Sequence, residues 1–216
     1  MQEDGRVREL HDLYRTRRDD IRKRLEDFKQ VLDSSDEEVF GELSFCLLTP
    51  QSSAKVCWDA VLKMKEANVL LTGNAKEIEP YLKQVRFGDS KARYIVEARK
   101  TFANDGKLQL KTRIRSFYNL FELREWLVEN VKGLGYKEAS HFMRNIGLGE
   151  ELAILDRHIL RNLAGLKVIP EVPATITKKR YLEMEEKLRA FSKNIGIPMG
   201  ELDLLFWSKE TGWIFK

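Results

Sequence analysis

A lysine two residues beyond a Gly-Leu-Gly turn, followed 19 positions later by an aspartate that ends an apolar run, is the pairing in this chain with the clearest chemical potential. The stretch is Val131 to Ile159, VKGLGYKEASHFMRNIGLGEELAILDRHI. Gly133-Leu134-Gly135 lies between two segments of helical periodicity, so it reads as a hairpin joining two helices. Glycines there let the backbone take positive φ and approach a ligand that side chains would fend off. The second helix begins near Tyr136, and its unpaired N–H groups and positive dipole end face whatever lies against the glycines; a phosphate fits that description. Lys137 then stands in the first helical turn, where an amine can serve as a nucleophile. The plain alternative is an exposed lysine whose charge opposes the dipole by roughly a few tenths of a kcal/mol. Lys132, ahead of the glycines, is the rival amine. Asp156 closes Ala153-Ile154-Leu155 and has two compatible roles, as N-cap of a helix starting at Arg157 and as a carboxylate able to stabilise developing positive charge.

Helices must hold that hairpin, and the apolar spacing supplies them along the whole chain. Val7, Leu10, Tyr14, Ile21, Leu25 and Phe28 predict a long amphipathic helix over about 6–32, with nine acidic and nine basic residues before Ser34 on a solvated face. Ser35-Asp36-Glu37-Glu38 is a capping-box start for a helix that buries Val39, Leu43, Cys46 and Leu47 and ends by Thr49, before Pro50. Gln51 opens the turn into a helix carrying Trp58, Val61 and Leu62. After Gly73-Asn74, a short helix with Ile78, Tyr81 and Leu82 leads to Val85-Arg86-Phe87-Gly88-Asp89. Ser90 or Asp89 is expected to cap the next helix, which packs Ile95, Val96 and Phe102 and closes at Asn104-Asp105-Gly106. Leu120 to Asn130 leads into the hairpin. Beyond Asp156 come a helix through Ile159, Leu160 and Leu163, a break at Pro170 and Pro173, a helix from Thr177 through Leu182 and Leu188, and a final helix holding Leu202, Leu205, Phe206 and Trp207. No segment shows sustained two-residue alternation, so the expected class is all-α.

Composition sets outer bounds. A chain of 216 residues with 43% hydrophobic content can build one sizeable core or two small lobes sharing an interface. No run is long enough to span a membrane, and MQEDGRVREL lacks a signal peptide's apolar stretch, so an intracellular protein is expected. Cys46 and Cys57 both fall in apolar helical patterns, which favours buried thiols over a disulfide or metal site. The net charge of +4 is uninformative, but Lys76 to Arg115 holds 11 basic and five acidic residues. That excess makes a candidate face for a nucleic-acid backbone, set against an ordinary solvated helix surface.

GLGYK with the downstream ILDRHILR resembles the helix–hairpin–helix DNA glycosylases, in which a hairpin lysine attacks C1′ of a damaged nucleotide and an aspartate assists. Within them the chain most resembles the compact 8-oxoguanine glycosylase/lyases of archaea and thermophilic bacteria. The likeness covers roughly 36–216, through ELSFCLLT, ARYIVEAR, VKGLGYKEASHFMRN, ILDRHILR and FWSKETGWIFK. It implies a two-lobed all-α fold without an added β domain. One glycosylase unit would span 1–216, with one lobe over about 36–120 and the other built from about 1–35 plus 121–216. It further implies a bifunctional repair enzyme that excises 8-oxoguanine through a Schiff base and cleaves the strand by β-elimination. Lys137 and Asp156 would be catalytic, and Gly133 and Gly135 would grip the DNA backbone. Gln51, Phe87 and Arg86 would hold the duplex open around the flipped nucleotide: Gln51 offers an amide to the orphaned base, where close relatives often have Asn, and Phe87 is an apolar wedge. Trp207, Lys216 and His141 would enclose the base, since an indole stacks on a purine and a terminal carboxylate accepts from the N7–H that distinguishes 8-oxoguanine from guanine. The aromatic end, Trp213-Ile214-Phe215, is expected to dock rather than fray. His158 is more readily a packing residue.

The same resemblance implies no cofactor bound by side chains, apart from a sodium or potassium ion at hairpin carbonyls. The iron–sulfur cluster of some relatives is excluded, because no cysteine follows Cys57. The expected partner is double-stranded DNA with a damaged base, met by a monomer in the cytoplasm or nucleoid of a prokaryote. An amine decides the mechanism, because a glycosylase without one activates water and stops at the abasic site. Two other readings stay open: a monofunctional glycosylase for another damaged or mismatched base, and a noncatalytic DNA-binding module.

Overall fold

Side chains that cap their own helices set several element boundaries in the computed structural model, which describes residues 5–215. The helices are α1 Gly5–Val31, α2 Asp36–Leu48, α3 Ala54–Glu66, α4 Val69–Thr72, α5 Ala75–Ile78, α6 Gly88–Phe102, α7 Leu110–Arg115, α8 Leu120–Asn130, α9 Tyr136–Asn145, α10 Arg157–Gly165, α11 Lys178–Ile195 and α12 Met199–Thr211. Ser35, Asn74, Asn119, Asp156 and Thr177 each accept a hydrogen bond from a backbone N–H in the first turn of the helix they precede. The all-α expectation holds. The turn after α6 does more than close it: Ala103–Asn104 and Lys107–Leu108 form a two-residue antiparallel ladder, β1 and β2, around Asp105 and Gly106, both at positive φ. A second departure concerns the start of α6. Neither Ser90 nor Asp89 caps it; the Lys91 N–H donates to the Phe87 carbonyl at 3.0 Å, so the helix begins earlier, with Phe87 as its N-cap residue.

Buried side chains gather into two clusters. One runs from Val39 to Leu152 and takes in α2, α3, α6 and the apolar faces of α8 and α9. The other joins Leu10, Ile21 and Phe28 of α1 to α10, α11 and α12. The chain passes from the first to the second between Leu152 and Ala153, just ahead of Asp156. Among the described residues no helix is long and apolar enough to cross a membrane.

A buried polar network fastens this junction. The Arg124 guanidinium (α8) donates to both Glu185 carboxylate oxygens (α11) at 2.6 and 2.8 Å and to Ser140 Oγ (α9) at 3.1 Å. Glu185 also accepts from the Ala153 N–H at 2.7 Å, and the Tyr181 hydroxyl donates to the Ala153 carbonyl at 2.5 Å. Arg124 lies within 6 Å of the ring centres of Phe121, Tyr136 and Tyr181, so its charge has π faces as well as a carboxylate. Three helices and the segment leading to Asp156 are thereby locked together. Glu185→Ala strands a buried guanidinium, and urea denaturation is expected to show a loss on the order of 3–5 kcal/mol. A loss below about 1 kcal/mol would show that water reaches and solvates Arg124 in the variant.

Candidate active site

Lys137 and Asp156 come from different elements and open onto one cavity of about 740 Å³. Its walls also carry Gln51, Arg86, His141 and Trp207, so six of the sequence-predicted site residues meet there. Lys137 is the second residue of α9, and its Nζ lies 3.7 Å from Glu138 Oε1. Glu138 Oε2 accepts from the Gly135 N–H at 3.3 Å, so one carboxylate holds both the hairpin and the amine's surroundings. The rival Lys132 is exposed, sits 3.4 Å from Glu97 and does not line the cavity. Asp156 Oδ1 accepts from the Ile159 N–H at 2.8 Å, the cap expected of it, and this aims the carboxylate.

The two hairpin glycines differ. Gly133 has φ of +96°, and a Cβ there would meet Tyr94 Cδ2 at 2.6 Å, so both backbone and space demand glycine. Gly135 is extended (φ −95°, ψ −176°), a conformation any residue adopts, which corrects the expectation of positive φ at both. A Cβ at Gly135 would come within 3.1 Å of Glu138 Oε2, so its constraint is the capping contact.

Gln51, which lines the cavity, and Phe87, next to the lining Arg86, are exposed and both left-handed, with φ of +56° and +59°. Phe87 is 53% exposed, and the Arg86 guanidinium stacks 5.1 Å from its ring centre. Such backbone strain in bulky residues at a surface turn calls for a functional explanation. His141 is buried edge-on to Phe45, and His158 meets the Trp207 ring edge-on at 5.3 Å with Nδ1 3.8 Å from Glu210. Lys216 lies outside the described residues. At the apolar end, Ile214 packs against the second core, while Trp213 is 43% exposed and stacks on Phe215; neither ring lines the cavity.

Three charged groups at or near the site escaped the sequence reading. Asp203, four residues before Trp207 on α12, lines the cavity. Burial, opposed by Arg144 and Lys137 and assisted by Asp156, leaves its carboxyl raised to about 6. Such a group is able to accept or donate a hydrogen bond near neutral pH. Arg144, one turn past His141, is buried with Nη2 3.5 Å from Asp203, and burial lowers its pKa. Lys91, counted above on a DNA-facing surface, is only 4% exposed. Two other members of that basic stretch are also partly buried: Arg99 donates to the Leu70 and Gly73 carbonyls and Lys111 to the Ser34 carbonyl, while Arg113 stays exposed against Trp126. The signal for Asp203 was an acid flanked by leucines in the apolar run Leu202 to Trp207; nothing in the local pattern marked Lys91. Among the described residues no group of three or more His, Cys, Asp or Glu is placed to hold a metal ion.

A family model described as 8-oxoguanine DNA glycosylase matches residues 21–197. An 8-oxoguanine DNA glycosylase/AP lyase of Fusobacterium nucleatum is 46% identical over 209 residues, 96% of each chain. Its counterpart in Methanocaldococcus jannaschii is 42% identical over 202 residues, 92% of this chain and 93% of the other. The crystal structure of the Methanocaldococcus jannaschii 8-oxoguanine glycosylase/lyase in complex with 15mer DNA containing 8-oxoguanine superposes with a TM-score of 0.88 at 38% identity, covering 97% of this chain and 99% of that one. The 8-oxoguanine DNA glycosylase of Thermotoga maritima superposes with a TM-score of 0.86 at 36% identity, covering 97% and 98%.

Proposed function

The chain belongs to the 8-oxoguanine DNA glycosylase family of the helix–hairpin–helix superfamily, and from that membership we propose that it excises 8-oxoguanine from DNA with Lys137 as nucleophile and then cleaves the strand. The observation that carries the assignment of roles is the convergence of Lys137 and Asp156 on one cavity walled by Trp207. Lys137 attacks C1′ as the free amine, the C1′–N9 bond breaks, and the base departs with its electron pair and takes up a proton. Asp156 offsets the positive charge that develops at the sugar. Loss of a proton from the attacking nitrogen leaves a neutral aminal; its lone pair then breaks the C1′–O4′ bond, O4′ takes up a proton, and the opened sugar carries a protonated imine at C1′ that acidifies C2′. Removal of a C2′ proton then expels the 3′ phosphate and cuts the strand. His141 and Trp207 line the base pocket.

Gly133 lets the hairpin backbone meet a DNA phosphate, a contact that carries no base information. A sodium or potassium ion at the hairpin carbonyls belongs to the same proposal. The Val131 carbonyl accepts from the Leu134 N–H at 3.1 Å and keeps a second lone pair with which it could hold such an ion. The ion would add positive charge beside the phosphate. In this proposal the enzyme further acts as a monomer in the compartment that holds DNA.

Borohydride trapping on duplexes bearing a panel of lesions tests the reading. A covalent adduct forming preferentially with 8-oxoguanine is expected. Excision without an adduct would indicate a monofunctional glycosylase, and binding without excision a noncatalytic module. The mouth is tested separately. Phe87→Ala is expected to slow excision from duplex far more than from single strands, where no stack must be broken. Equal losses on both would remove Phe87 from the opening step.

A further inference from the structure

The Lys91 ammonium has no ion-pair partner within 4 Å among the described residues, yet all three of its donors are used. Its Nζ donates to the Leu48 carbonyl at 2.7 Å, to the Pro50 carbonyl at 2.7 Å and to Ser52 Oγ at 3.3 Å. Ser52 Oγ in turn accepts from the Arg86 N–H at 3.0 Å. A lysine on α6 therefore ties the turn after α2 to the turn before α6. The first of these presents Gln51 and the second presents Arg86 and Phe87. Left-handed conformations at Gln51 and Phe87 persist only where their surroundings over-determine them, and the lysine supplies that constraint from beneath. Burying an ammonium disfavours its charged form, and burial does lower the Lys91 pKa; three strong acceptors offset that cost.

We propose that Lys91 is a positioning residue for base extrusion, holding the Gln51 and Phe87 turns as one rigid unit that enters the duplex together. The proposal rests on the reading of those two residues as the pair that keeps the helix open. A lysine serving fold stability alone would lower every activity by the same factor, through the folded fraction. A positioning lysine changes the ratio between substrates.

The experiment compares Lys91→Met, Ser52→Ala and Phe87→Ala on the same lesion in duplex and in single strands. It also follows the fluorescence of 2-aminopurine placed beside the lesion, which rises as the stack opens. Lys91→Met is expected to cut duplex excision by about tenfold or more while single-strand excision stays at the parent rate, and to reduce the fluorescence rise. Ser52→Ala, which leaves both Lys91 carbonyl contacts in place, shifts the ratio the same way by less and covers the case in which Lys91→Met folds poorly. Equal losses on both substrates, or none on either, with an unchanged fluorescence rise would overturn the proposal. If Phe87→Ala is duplex-selective while Lys91→Met and Ser52→Ala are not, the inference fails and the reading of the mouth stands. If Phe87→Ala is not duplex-selective, it is the reading of the mouth that fails.

Discussion

Lys137→Gln is expected to abolish the borohydride-trapped adduct and to lower 8-oxoguanine excision by roughly 10³-fold or more, while affinity for lesion-bearing duplex stays close to that of the parent. Glutamine keeps the reach and polarity of the side chain but has no basic lone pair, so it can neither displace the base nor form an imine. Among the described residues no other lysine lines the cavity. Lys132 lies outside the cavity beside Glu97, and all three Lys91 donors are committed to Leu48, Pro50 and Ser52. The hairpin and the mouth, which hold the DNA in this scheme, are untouched by the change. Gel electrophoresis after reduction reads the adduct, and fluorescence anisotropy reads affinity. An adduct of parental yield in the variant would show that another amine attacks.

Asp156→Asn is expected to leave thermal stability nearly unchanged and to reduce turnover by about 10²–10³-fold. Asparagine caps a helix about as well as aspartate, so the bond from the Ile159 N–H survives and α10 still starts at Arg157. What disappears is the negative charge facing the reacting sugar. The substitution thus separates two roles that Asp156→Ala would remove together, at a cost of about 0.5–2 kcal/mol for the cap alone. It has a second consequence at Asp203. With the Asp156 charge gone, one cause of that carboxyl's raised pKa is removed while Arg144 still pulls it down, so Asp203 titrates at lower pH than in the parent. Carbonyl-detected NMR titration checks the shift. Turnover within a factor of about two of the parent would deny Asp156 a chemical role.

Local interactions wrote much of this molecule into its residue order. Ser35, Asp156 and Thr177 cap helices that begin one residue later, because a side-chain oxygen reaches the N–H three residues on wherever the fold places it. Gly133 is legible for a similar reason, since a tight hairpin needs positive φ at some position. The Gly-Leu-Gly-Tyr-Lys run and the distant Asp156 could be paired from sequence because they resemble a known family, whose membership the comparisons then established. Periodicity located the apolar face of α1 on the same local grounds. It had no means of telling which charged side chains turn inward. Lys91 sits in a basic stretch and looks solvated, yet two of its acceptors are main-chain carbonyls 41 and 43 residues away. Backbone carbonyls carry no residue identity, so only the packing of α6 under the Pro50 turn could bring them to it. Arg124 with Glu185, 61 positions apart, and Arg144 with Asp203 follow the same rule. A charge is buried when its partners arrive from other elements at the right distance to replace water, and that distance is a property of the assembled helices rather than of any one of them.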